Sequence, residues 1–213
     1  MTMQGTIRSL VLATQNKNKV QELEYLLSAN VETMSVDHCA SAFGLASIPA
    51  LPEAGSTYYE NALSKAIAVQ KWCKMPTLSD DSGLECAALD GAPGVYSARY
   101  GGTTCSYEDR FRMLEREIAH ASHPSSQARF VCVLCYYDGS SPPVFFQGDV
   151  VGSLVAPQGA RGFGYDPIFF CPKLGKTFAQ AESKEKWECH HRSVAVRAFV
   201  QHYSANLIQP GEG

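Results

Sequence analysis

Two adjacent aspartates, Asp80 and Asp81, follow a short apolar run near the middle of the chain and precede Ser82 and Gly83. Strands that end at acidic and small residues commonly carry the functional sites of α/β proteins. Neighbouring carboxylates repel each other unless a cation or a proton offsets their charge. A hard divalent metal with oxygen ligands is the simplest such cation, and a capped turn with solvated aspartates is the alternative.

A second polar segment, residues 14–19, has the sequence TQNKNK and lies where a predicted strand meets a predicted helix. Backbone N–H groups at the start of a helix attract anions, and Asn16 and Lys19 would add donors. The segment therefore predicts a phosphate-binding loop, with an ordinary polar helix start as the alternative.

Four polar residues surround the start of another predicted helix: Glu53, Glu60, Asn61 and Lys65. Asn61 and Lys65 are four residues apart and so share one helix face. Glu60 has the spacing from Thr57 that is typical of a capping box. A capping role explains Glu60 at least as well as a role in ligand binding.

The aromatic segment 161–170 has the sequence RGFGYDPIFF. Glycines on both sides of Phe163 would let the backbone approach a ligand while the ring stacks on a base. Asp166 precedes a proline, which favours an extended conformation. An aromatic turn in the core is the alternative.

Three further cations or donors, Lys186, His191 and Arg192, lie at or before the predicted start of the last helix. Positive charge at a helix N-terminus is unfavourable unless an anionic or acceptor-rich ligand is present. This arrangement favours a binding role over the alternative of ordinary surface residues.

The elements that must position these residues are predicted from hydrophobic periodicity. Predicted strands cover residues 9–13, 31–36, a segment ending at Asp80 and Asp81, 129–138 and 144–156. Predicted helices cover residues from about 20 to 27, 57 to 73, 106 to 119 and 191 to 207. Residues 39–52 are predicted to form a loop or a short irregular segment. Helices and strands mix without strict alternation, which predicts an α/β fold around one long mixed sheet.

Composition limits the function classes. The 213 residues are 45% hydrophobic and 18% charged, which predicts a single well-packed domain over residues 1–213. The net charge of −3 argues against binding a nucleic acid polymer. No apolar run approaches the roughly 18 residues that span a bilayer, and the N-terminus lacks a signal-like core. We therefore expect a cytoplasmic protein that does not bind membranes.

Two patterns that suggest other chemistry are rejected. Cys132 and Cys135 form the one C-x-x-C among eight cysteines, but they lie in a predicted strand and would point to opposite faces. We expect buried, reduced thiols there instead of a zinc site or a disulfide. Gly175-Lys176-Thr177 resembles the end of a P-loop, but the required glycine five residues earlier is Phe170.

The chain resembles the inosine triphosphate pyrophosphatase family from about residue 10 to about residue 199. The resemblance rests on segments 79–84 (SDDSGL), 94–100 (GVYSARY) and 162–167 (GFGYDP) and on the pair His191-Arg192. It implies Mg²⁺-dependent hydrolysis of ITP, dITP or XTP to the monophosphate and pyrophosphate. It also implies a long mixed sheet with helices on both sides, two lobes around a substrate cleft, and a homodimer.

The resemblance also implies roles for individual residues. Asp81 would accept the proton of the attacking water, and both Glu53 and Asp81 would bind the metal. Residues that would contact the phosphates are Thr14, Gln15, Asn16, Lys17, Asn18 and Lys19. Other substrate-binding residues would be Ser82, Phe163, Gly164, Tyr165, Asp166, Lys186, His191 and Arg192, with Asp80, Lys65 and Arg99 as supporting residues.

Three positions depart from the family's pattern: Gln15 replaces a common glycine, Ala87 an acidic residue and His190 a serine. Three alternatives to the proposed activity stay open. One is a nucleotide-binding module without hydrolysis, against which the presence of both Glu53 and Asp81 argues. Another is a pyrophosphatase for modified pyrimidine or other damaged triphosphates, which only the base pocket would distinguish. The third is a cysteine-rich structural scaffold.

Overall fold

The computed structural model describes residues 9–207. The strands are β1 (Ser9–Ala13), β2 (Glu32–Ser35), β3 (Thr77–Cys86), β4 (Gln127–Tyr137), β5 (Val144–Leu154), β6 (Phe169–Cys171) and β7 (Lys176–Thr177). The α-helices are α1 (Lys17–Leu27), α2 (Val36–Phe43), α3 (Tyr58–Cys73), α4 (Tyr107–Ala119), α5 (Ser183–Cys189) and α6 (His191–Leu207). Short 3-10 helices cover Ala87–Leu89, Gly94–Arg99 and Asp166–Ile168.

The seven strands form one sheet in the order β2-β1-β3-β4-β5-β6-β7. Strand β1 pairs parallel with both β2 and β3, whereas β6 pairs antiparallel with both β5 and β7. The prediction of an α/β fold with a long mixed sheet is confirmed.

Two compact units divide the chain. Within the described residues, unit 1 comprises 9–81, 133–147 and 195–207, and unit 2 comprises 82–132 and 148–194. Each unit has a core of its own. In unit 1 the core includes Val11, Ala13, Val36, Cys39 and Val69. In unit 2 it includes Leu84, Leu114, Phe130, Tyr165, Phe169 and Phe178.

Side-chain caps explain where several helices begin. Asn16 caps α1, and Ser106 caps α4 by accepting a hydrogen bond from the Asp109 N–H. The predicted capping box of α3 is present, because Thr57 and Glu60 each accept a bond from the other's backbone N–H. This box fixes the first turn of the helix that carries Asn61 and Lys65.

Two element predictions are wrong. Residues 39–43 are helical and not a loop, because α2 begins directly after β2 with Ser35 as its cap and ends at Gly44 in the left-handed conformation. Strand β3 does not end at the aspartates but continues through Ser82 and Gly83 to Cys86. Asp80 and Asp81 therefore lie inside a strand, where their side chains point to opposite faces.

The predicted burial of Cys132 and Cys135 is confirmed. All eight cysteines are free, and Cys132 and Cys135 are fully buried in β4. Over residues 9–207, the helices include none with the length and apolar character needed to cross a membrane.

Candidate active site

The turn between β1 and α1 is organised by Asn16. Its side-chain Oδ1 accepts hydrogen bonds from the backbone N–H groups of Asn18 and Lys19, at 3.0 and 3.3 Å. The Asn16 N–H in turn donates to Thr14 Oγ1 at 3.2 Å. The segment predicted to bind phosphate therefore leads into a helix start capped by Asn16, and its binding of phosphate stays a prediction.

Lys19 reaches from the first turn of α1 to Asp80. Its Nζ forms an ion pair with Asp80 Oδ1, and the Asp80 side chain is completely buried. A buried carboxylate requires such a partner, because an isolated buried charge is strongly unfavourable. Lys19 is thus held close to β3 at the end of the candidate phosphate loop.

Lys65 joins the two carboxylates that were predicted to bind metal. Its Nζ lies 2.8 Å from Asp81 Oδ1 and 2.9 Å from Glu53 Oε1. The Lys65 side chain is 3% exposed and that of Asp81 7%, whereas that of Glu53 is 40% exposed. A lysine of α3 therefore offsets the charge of Asp81, just as Lys19 of α1 offsets that of Asp80.

Asn61 holds the other oxygen of Asp81. Its Nδ2 donates to Asp81 Oδ2 at 3.2 Å, and its Oδ1 accepts from the Gly55 N–H at 2.8 Å. The second bond fixes the orientation of the amide so that its donor faces the carboxylate. A side chain at Gly55 would meet the Asn61 oxygen at 2.8 Å, which explains the glycine.

The charges of this cluster change its proton affinities. Burial alone would lower the pKa of Lys65, but the negative charges of Asp81 and Glu53 outweigh it and raise the pKa above its ordinary value. Lys65 is therefore a cation at neutral pH. Burial raises the pKa of Asp81, against the opposing effect of Lys65 and Lys19.

A second group of predicted site residues lies in unit 2, around Asp166. Asp166 Oδ2 accepts a hydrogen bond from Lys186 Nζ at 2.7 Å and another from the Phe163 N–H at 3.0 Å. The Lys186 ammonium also lies 5.4 Å from the centre of the Phe163 ring. A side chain at Gly162, which has φ +73°, would approach Asp166 Oδ2 to 2.1 Å. A residue with a side chain therefore does not fit at position 162.

Asp166 differs from its predicted conformation. It opens the 3-10 helix Asp166–Ile168 and is not part of an extended segment. Hydrogen bonds from the Asp166 N–H to Phe163 O and from the Ile168 N–H to Tyr165 O stabilise this turn. The proline that follows is tolerated because the first residues of a helix need no backbone donor.

His191 and Arg192 are the first residues of α6, and both are buried. The His191 imidazole stacks on the Phe130 ring of β4, with a centroid distance of 4.7 Å and an interplanar angle of 11°. Arg192 Nη2 donates to Ser82 Oγ at 3.1 Å. This buried guanidinium links the start of α6 to the first residue of unit 2 on β3.

Other residues of the predicted site are exposed or pack against neighbouring groups. Gln15, Lys17 and Asn18 have exposed side chains. The Arg99 guanidinium lies 4.9 Å from the centre of the Tyr96 ring. The buried hydroxyl of Tyr165 donates to the Ser97 carbonyl at 2.9 Å, which supports a role in packing.

Sequence reasoning missed Phe130 and Ser97 and left Asn61 unassigned. Phe130 belongs to an apolar run, so nothing in its type or spacing distinguished it from other core residues. The Ser97 hydroxyl accepts from the Leu84 N–H at 2.9 Å and donates to Gly94 O at 2.7 Å. The helical spacing of Asn61 and Lys65 was a signal, but it did not indicate their shared partner Asp81.

A cavity of about 660 Å³ lies elsewhere in unit 2. It is lined by α4, by residues 154–157 and Gly159, and by Ser126, Pro167 and Ile168. None of the predicted site residues lines it, so it is separate from the groups described above.

The carboxylates of unit 1 suit a magnesium ion. Glu53 and Asp81 already converge on one cation, the Lys65 ammonium. Magnesium typically takes one or two protein carboxylates and completes its shell with water and substrate phosphates. Within residues 9–207, no group of three or more His, Cys, Asp or Glu side chains is arranged to hold a metal.

Comparisons with known proteins agree with this fold. The model of the Ham1 family matches residues 10–202. A dITP/XTP pyrophosphatase of Thermus thermophilus is 44% identical over 198 residues, which cover 91% of each chain. One from Yersinia pseudotuberculosis is 38% identical and covers 91% of this chain and 97% of the relative.

Two solved structures are also similar. The Ham1 protein of Staphylococcus aureus has a TM-score of 0.79 at 32% identity, covering 93% of this chain and 99% of the other. A HAM1 protein of Coxiella burnetii has a TM-score of 0.81 at 33% identity, covering 92% and 98%. Sequence and fold therefore agree, and the chain belongs to the Ham1 family.

Proposed function

We propose that this protein hydrolyses deaminated purine nucleoside triphosphates, namely ITP, dITP and XTP, to the monophosphate and pyrophosphate. The similar proteins of Thermus and Yersinia are dITP/XTP pyrophosphatases by name. Such an activity would remove deaminated purines from the nucleotide pool. The observation that carries the proposal is Asp81, a buried carboxylate held by Lys65 at one oxygen and by Asn61 at the other.

The triphosphate would bind to residues of unit 1. Lys19 supplies a cation, and the capped helix start at Asn16 supplies a positive dipole end. Glu53 and Asp81 would hold Mg²⁺, which supplies charge stabilisation at the phosphate oxygens when it is bound. Because magnesium prefers oxygen ligands from carboxylates and phosphates, this donor set supports Mg²⁺ as the metal.

The reaction requires water to attack the α-phosphorus, with pyrophosphate as the leaving group. Asp81 would accept the proton of that water, because its fixed position lets it act as a general base. Burial raises the pKa of Asp81, whereas the Lys19 ammonium opposes this and favours the ionised form that this role requires, as Mg²⁺ would when bound. Lys19 would stabilise the charge that develops on the leaving group.

The base would be recognised by residues of unit 2. Hypoxanthine and xanthine carry an acceptor, O6, where adenine carries an amino group. Donors from His191 and Arg192 would pair with O6 but would face the amino group of adenine without an acceptor. An unpaired buried polar group costs about 1–3 kcal/mol, which corresponds to roughly tenfold to hundredfold discrimination per contact. Phe163 would stack on the base.

The proposal includes two properties implied by the family resemblance, a homodimer and a cytoplasmic location. The cytoplasm holds the nucleotide pool on which such an enzyme acts, and sedimentation of the purified protein would give its oligomeric state.

Purified protein with Mg²⁺ and ITP, XTP, GTP or ATP tests the activity, with pyrophosphate and orthophosphate measured separately. We expect pyrophosphate from ITP and XTP and little product from GTP or ATP. Tight binding of ITP without turnover would support the binding module instead. Turnover of modified pyrimidine triphosphates in preference to ITP would overturn the base assignment and support the alternative pyrophosphatase.

A further inference from the structure

Both oxygens of Asp81 already have partners in unit 1. Oδ1 accepts from Lys65 Nζ at 2.8 Å, and Oδ2 accepts from Asn61 Nδ2 at 3.2 Å. The same Lys65 nitrogen lies 2.9 Å from Glu53 Oε1. The two carboxylates expected to bind the metal therefore share one ammonium group.

A divalent cation and this ammonium group are mutually exclusive at that position. Magnesium requires short contacts to its oxygen ligands, at about 2.0–2.1 Å. An ammonium group between the same two carboxylates takes up that space and repels a second cation. Binding of the metal between Asp81 Oδ1 and Glu53 Oε1 thus requires Lys65 to move away from them.

Lys65 can move only if another anion accepts it. Its side chain is 3% exposed, and a buried ammonium without a partner is strongly unfavourable. A triphosphate chain offers several negative oxygens. Arrival of the substrate would therefore give Lys65 a new partner and free the two carboxylates for the metal.

We propose that Lys65 is an internal competitor of the metal, which keeps the metal affinity of the substrate-free protein low and couples metal binding to binding of the triphosphate. The coupling is reciprocal, since each ligand must raise the affinity for the other by the same factor. The proposal rests on the proposed function for the identity of the triphosphate. The competition itself involves only Lys65, Glu53 and Asp81.

Metal titrations of the substrate-free protein test the competition without measuring catalysis. Isothermal titration with Mn²⁺ and Mg²⁺ would compare the natural protein with Lys65→Met, which removes the charge and keeps an unbranched side chain. We expect Lys65→Met to bind the metal about tenfold more tightly or better, because a repelling charge has been removed. Equal or weaker binding would overturn the proposal.

Three control variants test whether a gain in metal affinity comes from removing the Lys65 charge. Lys71→Met removes an exposed charge from the same helix and should leave the metal affinity unchanged. Lys65→Arg keeps the charge and should keep the affinity low. The double variant Lys65→Met/Glu53→Gln should lose the gain, because one of the two carboxylates is then neutral. A gain that survives this change, or appears in Lys71→Met, would contradict the assignment.

Thermal unfolding provides a second measurement of metal binding, and either of two substitutions of Lys65 can be used for it. Lys65→Met leaves the buried Asp81 carboxylate without the Lys65 ammonium, so its melting temperature should rise more on adding Mn²⁺ than that of the natural protein. If Lys65→Met does not fold, Lys65→Gln replaces it in both measurements. Failure of ITP hydrolysis alongside the expected metal result would disprove the proposed function but not the competition.

Discussion

The imidazole of His191 lies flat against the ring of Phe130, with centroids 4.7 Å apart and planes inclined by 11°. Phe130 is 7% exposed and belongs to the core of unit 2, so a rigid strand fixes the plane of a side chain at the start of α6. A donor held in one plane can pair with a base acceptor at a smaller loss of conformational entropy.

Replacing Phe130 by leucine should therefore impair recognition of the base. Phe130→Leu keeps an apolar side chain but removes the flat surface, so we expect the KM for ITP to rise several-fold with a smaller change in kcat. Steady-state kinetics would measure both. Phe146→Leu, at a buried phenylalanine of unit 1, is the matched control and should lower stability without changing KM. Equal effects of both changes on KM would contradict a positioning role.

Arg192→Ala should distinguish base recognition from phosphate binding. If the guanidinium that donates to Ser82 also faces the base, kcat/KM for ITP should fall about tenfold to hundredfold, whereas the low activity with ATP should change less. Kinetics with the two nucleotides gives the comparison, and circular dichroism verifies the fold. Equal losses for both would mean that Arg192 contacts the phosphates.

Breaking the ion pair between Asp166 and Lys186 should be strongly destabilising, because both side chains are about 5% exposed or less and the remaining partner would lose the charge that compensates it. Removing one partner of a buried pair typically costs about 3–5 kcal/mol. Lys186→Met should show a loss of this size in urea unfolding, and the double change Lys186→Met/Asp166→Asn should lose less than the sum of the single changes. Arg112→Met breaks the exposed pair with Asp109 and should cost under about 1 kcal/mol. Additive losses in the double variant would show that the ion pair contributes no coupling.

The capping box of α3 should make stability depend on pH. Hydrogen bonds from Ser56 and Thr57 lower the pKa of Glu60 below its ordinary value of 4.5. The ionised form therefore stabilises the fold above pH 4.5, and this contribution disappears as the pH falls through the lower pKa of the folded state. The melting temperature of Glu60→Gln should be below that of the natural protein at neutral pH and approach it in acid. A constant difference across this range would contradict the assignment.

Strong local signals made much of the fold predictable. The capping box and the apolar spacing predicted α3 to begin after Thr57 and to end near Cys73, as it does. Helix α2 was missed because its eight residues include small side chains and follow β2 without a loop. Short helices depend more on tertiary packing than on propensity, and periodicity therefore fails for them.

The candidate site was predictable in its residue types but not in its contacts. The paired aspartates indicated that a cation must be near. The sequence did not show that two lysines of different helices supply it, Lys19 to Asp80 and Lys65 to Asp81. Such contacts depend on how the helices pack on the sheet, which no local pattern encodes. Phe130 was missed for the same reason, since its role comes only from the ring beside it.

The most direct test of the proposed activity is the position of the attacked phosphorus. ITP and Mg²⁺ would be incubated with the protein in water labelled with heavy oxygen, and the products analysed by mass spectrometry. Attack at the α-phosphorus predicts one labelled oxygen in the monophosphate and none in pyrophosphate, with turnover abolished in a folded Asp81→Asn variant. Label in pyrophosphate or in released orthophosphate, or substantial turnover by Asp81→Asn, would contradict the mechanism proposed for Asp81.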